Sequence, residues 1–412
     1  MPAEKRGLRA LIGCAVAIFW PGAFIFGFPG VMAPYWQDIF QVGRGAIGNI
    51  LFFVLAAVGI FMFFVGRLQE KLGIRRTISL GAVLGGLSVF VLTFATDIFM
   101  VYLWAFLTGA ASCFVYIPSL TTVQRWYPSR RGLVSGVVNL MFGLSAAIMA
   151  PLFGYLLYKI GYSAMTIALG FTALIIGTIA AQFTEAPTEV SVSTGSKSEP
   201  AAKPLLDFDH SLTVRESLQT RSFWFLWGVW ALQGSAGIAM VTLSTSLGLS
   251  RGFPLESAVI ILTAFNLANG LSRLLMGYIS DRTGRNFTMC LAFFAAGVSY
   301  FCLTQTGHLL FLSFLAAVIG FAFGTLFAVS APLAVDCFGM KHFGSIFGLV
   351  FTAYGFVAGP LGPSLSGYIL DATHGNFSLV FIYLGVFCFV SGILIRLVTP
   401  PAPSSTRVEI VS

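Results

Sequence analysis

Gly66-Arg-Leu-Gln-Glu70-Lys71-Leu-Gly73 and Gly277-Tyr-Ile-Ser-Asp281-Arg282-Thr-Gly284 are one pattern, set down twice 211 positions apart. Each copy closes a long apolar stretch and is followed by base, at Arg75 and Arg76 in the first case and at Arg285 in the second. A second set of residues repeats at almost the same offset. Gly132, Gly136, Gly143 and Pro151 return as Gly344, Gly348, Gly355 and Pro363, each 212 positions on. Two separate segments with nearly one offset describe a unit used twice in the same direction. The glycines permit tight turns and close helix approach. The Glu70 or Asp281 carboxylate can pair with a nearby arginine or cap a helix N-terminus.

The chain around these loops has 412 residues, 57% of them hydrophobic and only 9% charged, with a mean hydropathy of +0.90. A soluble domain carries about 25% charged residues. The apolar runs are continuous and exceed the ~18 residues that mark a helical membrane span, without the short-period alternation of a β-barrel. Twelve spans are expected, at 8–35, 43–66, 77–95, 98–123, 132–158, 163–183, 222–247, 255–279, 286–304, 308–333, 342–369 and 377–398. The expected fold is an all-α membrane protein of two six-helix halves, 1–183 and 221–399. A polar linker, 184–220, joins them, and a Pro- and Ser-rich tail, 400–412, follows. Parallel repeats of this kind place a carrier's substrate site at mid-membrane between the halves.

The net charge of +8 does not describe a nucleic-acid surface. With both termini on one side, 19 of the 23 Lys and Arg fall in loops or tails on that side. Only Arg44, Lys159 and Arg251 fall opposite. The positive-inside rule puts the termini in the cytoplasm, for a multi-pass protein of the cell (inner or plasma) membrane. The basic N-terminus precedes a span too long for a cleavable signal. Six scattered cysteines without a CxxC read as small packing residues. The four histidines lie in loops or at span ends with no metal-like spacing. No Walker A, HExxH or GxSxG pattern is present. No enzyme activity, metal or cofactor is expected.

The doubled G-x-x-x-[DE]-[RK]-x-G loop resembles that of the major facilitator superfamily. In that family the loops belong to the conformational gate, which implies a gating role for Gly66, Glu70, Lys71, Gly73, Gly277, Asp281, Arg282, Gly284 and Arg285. A narrower resemblance, to the monocarboxylate transporter and oxalate–formate antiporter group, rests on three segments. They are Arg125-Trp-Tyr-Pro-Ser-Arg-Arg-Gly-Leu-Val-Ser-Gly136, Ser222-Phe-Trp-Phe-Leu-Trp227 and Asn269-Gly-Leu-Ser-Arg273. The last contains the position of that group's substrate-binding arginine. Oxalate–formate antiporters carry a second cation in span eleven, which would fall near Val350, but no Lys or Arg lies between Gly344 and Leu370. In animal monocarboxylate transporters an aspartate implicated in proton coupling stands four residues before the arginine. Asn269 stands there in this chain.

Arg273 is itself the only charge in the middle of any expected span. At a helix centre arginine costs roughly 2.5–3.5 kcal/mol on insertion scales, so it should face protein or water. Asn266, Asn269, Gly270, Arg273 and Gly277 share one helix face. With no mid-span carboxylate as a standing partner, Arg273 is expected to bind a substrate carboxylate through two parallel hydrogen bonds. Asn269 would orient the guanidinium or bind a substrate hydroxyl. Tyr116, placed by the resemblance in the cavity wall, would donate to the same carboxylate. Phe24, Phe28, Phe323, Phe327 and Tyr354 are candidates for the apolar wall, and Asn139 for the polar end. Each of these side chains has a packing role as its alternative. Asp336 is expected to pair with Lys341 or another loop charge rather than relay protons. The function expected is secondary transport of a small monocarboxylate, lactate- or pyruvate-like, by a monomer in the lipid bilayer. Proton symport is the first expectation and oxalate–formate-type anion exchange the alternative.

Overall fold

The computed structural model describes residues 3–127, 131–185, 211–339 and 342–401. Most of the expected linker and the end of the tail lie outside the described residues. So do Arg130 and Lys341, and the side-chain positions at Gly66, Glu70, Gly132 and Gly344.

Everything regular among the described residues is helical. Helix α1 runs Ala3–Gly22, widens into a π-helical turn at Ala23–Gly27 and continues as Phe28–Phe40. Then come α2 (Arg44–Leu72), α3 (Ile74–Thr93) and α4 (Ile98–Trp126). A single helical run, Arg131–Ala181, breaks at Gly161, where φ is 75° and ψ 171°. Its apolar stretch, Leu133–Ala181, has 49 residues. At 1.5 Å per residue that is about 74 Å, more than twice a ~30 Å hydrocarbon core. The break therefore separates two crossing helices, α5 and α6. The second half supplies α7 (Arg221–Ser250), α8 (Leu255–Thr283), α9 (Arg285–Leu303) and α10 (Leu309–Phe338). Helix α11 begins at Phe343–Ala353, passes through π turns at Tyr354–Ala358 and Pro360–Ser364, and ends as Leu365–Ala372. Helix α12 is Phe377–Leu397. Among the described residues eleven apolar runs, one of them folded at Gly161, give the twelve crossings expected.

The repeated loop has a reason for its last glycine. Gly73 (φ 82°, ψ 154°) and Gly284 (φ 90°, ψ 132°) each end one helix and start the next. A Cβ at either would meet nothing within 4 Å. Space is therefore not the constraint; the positive φ is. Lys71 is exposed, Arg282 stacks over Tyr278 at 4.4 Å, and Gly277 touches nothing where its Cβ would be. Arg285 bridges Asp336, with Nε 2.9 Å from the carboxylate, and Asp281 at 3.6 Å. Asp336 thus has an arginine partner from the repeated loop.

The halves meet along α5–α8, α2–α11 and α1–α7. Two glycine pairs set the closest approaches. A Cβ on Gly143 would lie 2.7 Å from the Cα of Gly270, and one on Gly355 would lie 2.8 Å from the Cα of Gly59. These contacts are the same contact, related by the repeat: Gly59 and Gly270 are 211 residues apart, Gly143 and Gly355 are 212 apart. Side chains of any size there would hold the helices apart.

Candidate functional site

Arg273 sits on α8 one turn beyond the Gly143–Gly270 contact, and only 3% of it is exposed. The glycine pair draws α5 onto α8, and α10 packs equally closely where Gly324 meets the backbone at Asn269. The guanidinium is therefore enclosed by three helices and by α1. Its Nε–H donates to Asn269 Oδ1 at 3.3 Å. Among the described residues the two terminal nitrogens have no hydrogen-bond partner, nor does Asn269 Nδ2. Among the described residues no carboxylate pairs with it.

Three aromatic rings stand around the cation instead. The guanidinium carbon lies 4.3 Å from the centroid of Phe327, 5.5 Å from Phe142 and 5.7 Å from Phe26. Such contacts contribute about 0.5–2 kcal/mol each, and they supply no hydrogen-bond acceptor atom to the terminal nitrogens. Tyr116 and Tyr354 are close enough to interact electrostatically with the cation. Tyr116 donates to Asn139 Oδ1 at 2.7 Å, and Asn139 Nδ2 donates to the Ser135 carbonyl at 3.0 Å. Asn139 is thus fully engaged in holding Tyr116. The Tyr354 hydroxyl is buried and unpartnered.

The residues expected from sequence divide accordingly. Arg273, Asn269, Tyr116, Phe327 and Tyr354 are brought together, with Asn139 behind Tyr116. Phe323 packs one ring behind, 5.2 Å from Phe327 and 6.1 Å from Phe26. Phe24 and Phe28 are not part of this group. They pack against Phe153, and Phe28 also against Trp36 and Trp104, inside the first half. The i, i+4 pair does define one face of α1, but that face is turned inward to its own half. Phe26, two residues from each, lies on the other side and reaches Arg273. Asn266 donates to the Phe26 carbonyl at 3.1 Å, tying α8 to the π turn of α1. Phe26 and Phe142 were not singled out by the sequence. The signal available for Phe142 was its place beside Gly143 in the repeated glycine set.

A cavity of about 40 Å³ adjoins the rings that surround the cation. Phe26, Phe142, Phe327, Tyr116 and Tyr354 form part of its wall, together with Ile25 of α1, Phe351 of α11 and residues of α2 and α4. The arrangement is a buried cation with two terminal nitrogens unpartnered among the described residues, a neutral amide on Nε and an aromatic surround.

The sequence matches the Major Facilitator Superfamily family model over residues 12–304 and 229–410. The chain belongs to the major facilitator superfamily. It is 27% identical to the oxalate:formate antiporter of Oxalobacter formigenes over 297 residues, covering 71% of this chain and 68% of that protein. Monocarboxylate transporter 13 of Rattus norvegicus is 26% identical over 401 residues, covering 93% and 87%. A solved bacterial homolog of the human lysosomal transporter Spinster, in an inward-facing and unoccupied conformation, superposes with a TM-score of 0.66. It has 12% identity and covers 96% of this chain and 95% of its own. The fold expected from the doubled loop is therefore the fold found. The protein is a transporter of this superfamily, not an enzyme.

Proposed function

We propose that this superfamily member is a secondary active carrier of a small monocarboxylate, working by alternating access with both termini in the cytoplasm. One observation carries the reading: a buried guanidinium between the two halves has both terminal nitrogens unpartnered. A carboxylate is the ligand whose two oxygens match that fork. Tyr354 supplies a further donor, and Asn269 keeps the fork oriented without neutralising it. The 2.7 Å bond to Asn139 holds Tyr116 beside the cation.

The charge count favours one acid group over two. Val350, where the resemblance would put a second cation, is fully buried and apolar. A dicarboxylate would bury one uncompensated charge. The relatives, named as an oxalate:formate antiporter and a monocarboxylate transporter, are consistent with an organic anion. The test is uptake of labelled lactate, pyruvate and formate into proteoliposomes, with and without a pH gradient. Arg273→Gln should abolish uptake while the thermal midpoint shows a folded protein. Uptake of all three acids at wild-type rates by that variant would refute the site. Stimulation by an inward proton gradient would identify symport; stimulation only by acid loaded on the far side would identify exchange.

A further inference from the structure

The cavity beside Arg273 has a second side that the carboxylate does not use. It is formed by Val54, Leu55, Val58 and Met62 of α2 and by Ser112 and Cys113 of α4. No charged residue lines it. Its polar groups are nearly all engaged. Ser112 Oγ donates to the Gly109 carbonyl at 2.7 Å, Cys113 Sγ to the same carbonyl at 3.5 Å, and Tyr116 to Asn139. Among the described residues the one free polar group on its wall is the Tyr354 hydroxyl. The three rings that surround the guanidinium are also walls of this space, so acid site and cavity are contiguous.

We infer that this space is a tail subsite and that the preferred substrate is a monocarboxylate with a branched aliphatic or phenyl tail, not one ending in a methyl or a second acid. The inference rests on the proposed acid site at Arg273. The two ends of such a substrate engage different halves. Its carboxylate binds α8 of the second half, and its tail fills the gap between α2 and α4 of the first. Binding would then depend on the halves being close together. A tail that ended in a carboxylate would meet an uncharged wall with a single free hydroxyl. Val58, partly buried, lines this side one residue before Gly59, where α2 meets α11.

Each methylene moved from water into an apolar wall is worth about fourfold in affinity. A tail three carbons larger than a methyl therefore gains at most about 60-fold by the same rule. The experiment is competition against labelled pyruvate uptake in proteoliposomes holding the full chain. Unlabelled 4-methyl-2-oxopentanoate, phenylpyruvate, pyruvate and oxalate serve as competitors. The branched and phenyl acids should inhibit at concentrations at least about tenfold lower than pyruvate, and oxalate should be the weakest. Val58→Phe, which fills the space, should remove that advantage, weakening the branched and phenyl acids at least about fivefold more than pyruvate. Val58→Ala should shift the preference towards phenylpyruvate. Equal inhibition by pyruvate and the larger acids, or a Val58→Phe variant that weakens all acids in proportion, overturns the tail subsite. If Arg273→Gln abolishes uptake in the same preparation, the acid site survives that failure. If Arg273→Gln leaves uptake intact, both readings fall.

Discussion

Asp371, at the end of α11, closes the face of the bundle opposite the chain termini, and replacing it should open that face. Its two carboxylate oxygens accept from the backbone N–H groups of Arg44 and Gly45, each at 2.8 Å. These are the first donors of α2, whose own N-cap, Gly43, offers no side chain. The second half thus caps a helix of the first. Beside it Asn49 donates to the Tyr368 hydroxyl at 2.9 Å. Loss of an N-cap costs about 0.5–2 kcal/mol, and a carboxylate at a helix N-terminus adds about 0.3–1 kcal/mol through the macrodipole. Because α2 and α11 belong to different halves, the capping energy is present only when this face is closed. Asp371→Ala should therefore move the closed–open equilibrium by about 2 kcal/mol, or roughly 30-fold. Spin labels at Asp38 and Ala372, in a background with the six cysteines replaced, would report the separation of the α1 and α11 ends. Pulsed dipolar spectroscopy should show the long-distance population rising in Asp371→Ala and, by a smaller amount, in Asp371→Asn. Superimposable distance distributions for wild type and Asp371→Ala would refute the idea that the cap couples the halves.

Two further perturbations follow from contacts already described. Gly270→Val places a branched side chain where a Cβ alone would come within 2.8 Å of the Leu144 backbone nitrogen. It should slow uptake by tenfold or more, with the repeat-related Gly59→Val behaving alike, and near-normal transport in both would show that the close approach is dispensable. Glu185, just beyond α6, joins Arg6 and Arg75, and its carbonyl accepts from Trp126 Nε1 at 2.6 Å. Slight burial pushes its carboxyl upward, but the two arginines outweigh this and hold it below its ordinary 4.5. A depressed folded value means stability that is complete above the unfolded value and is lost as pH falls through the folded one. Wild type should therefore lose more thermal stability than Glu185→Gln on acidification from pH 6 to below 4.5. Parallel pH curves for the two proteins would show that the cluster contributes nothing.

The fold was legible because its evidence is periodic. Apolar length gives crossings, and the doubled loop gives two halves. The glycine offset even encodes the half–half contacts, although Gly59 becomes visible only once Gly270 is known to touch Gly143. The site was legible where chemistry is costly. A lone arginine at depth stands out, and Asn269 is one turn from it. What stayed hidden was which way an apolar face points. Phe24 and Phe28 share a face of α1, and spacing alone cannot say whether that face meets its own half or the other. Membrane helices are apolar on both sides, so the usual solvent-facing reference is missing. The tail cavity was hidden for the same reason, since Val54, Leu55, Val58 and Met62 look like any lipid-facing or core residues of a span.

The surroundings of Arg273 also explain how a buried cation can be held without occupying its terminal N–H groups. A protein carboxylate beside the guanidinium would satisfy it permanently, and a visiting acid would have to displace it. Full exposure would leave the cation hydrated, and the acid would have to strip that water. Aromatic faces do neither, because they offset part of the burial cost. They do so without supplying a hydrogen-bond acceptor atom, and the terminal N–H groups stay unpartnered among the described residues. Asn269 completes the balance by accepting from Nε without carrying charge. Restoring an acid there, as Asn269→Asp, should strengthen the internal pair and weaken substrate binding at neutral pH. On the proposed reading, lowering the pH to protonate the new carboxyl should recover uptake. A variant that bound substrate as tightly as wild type at neutral pH would mean that the charge on Arg273 is not what the substrate meets.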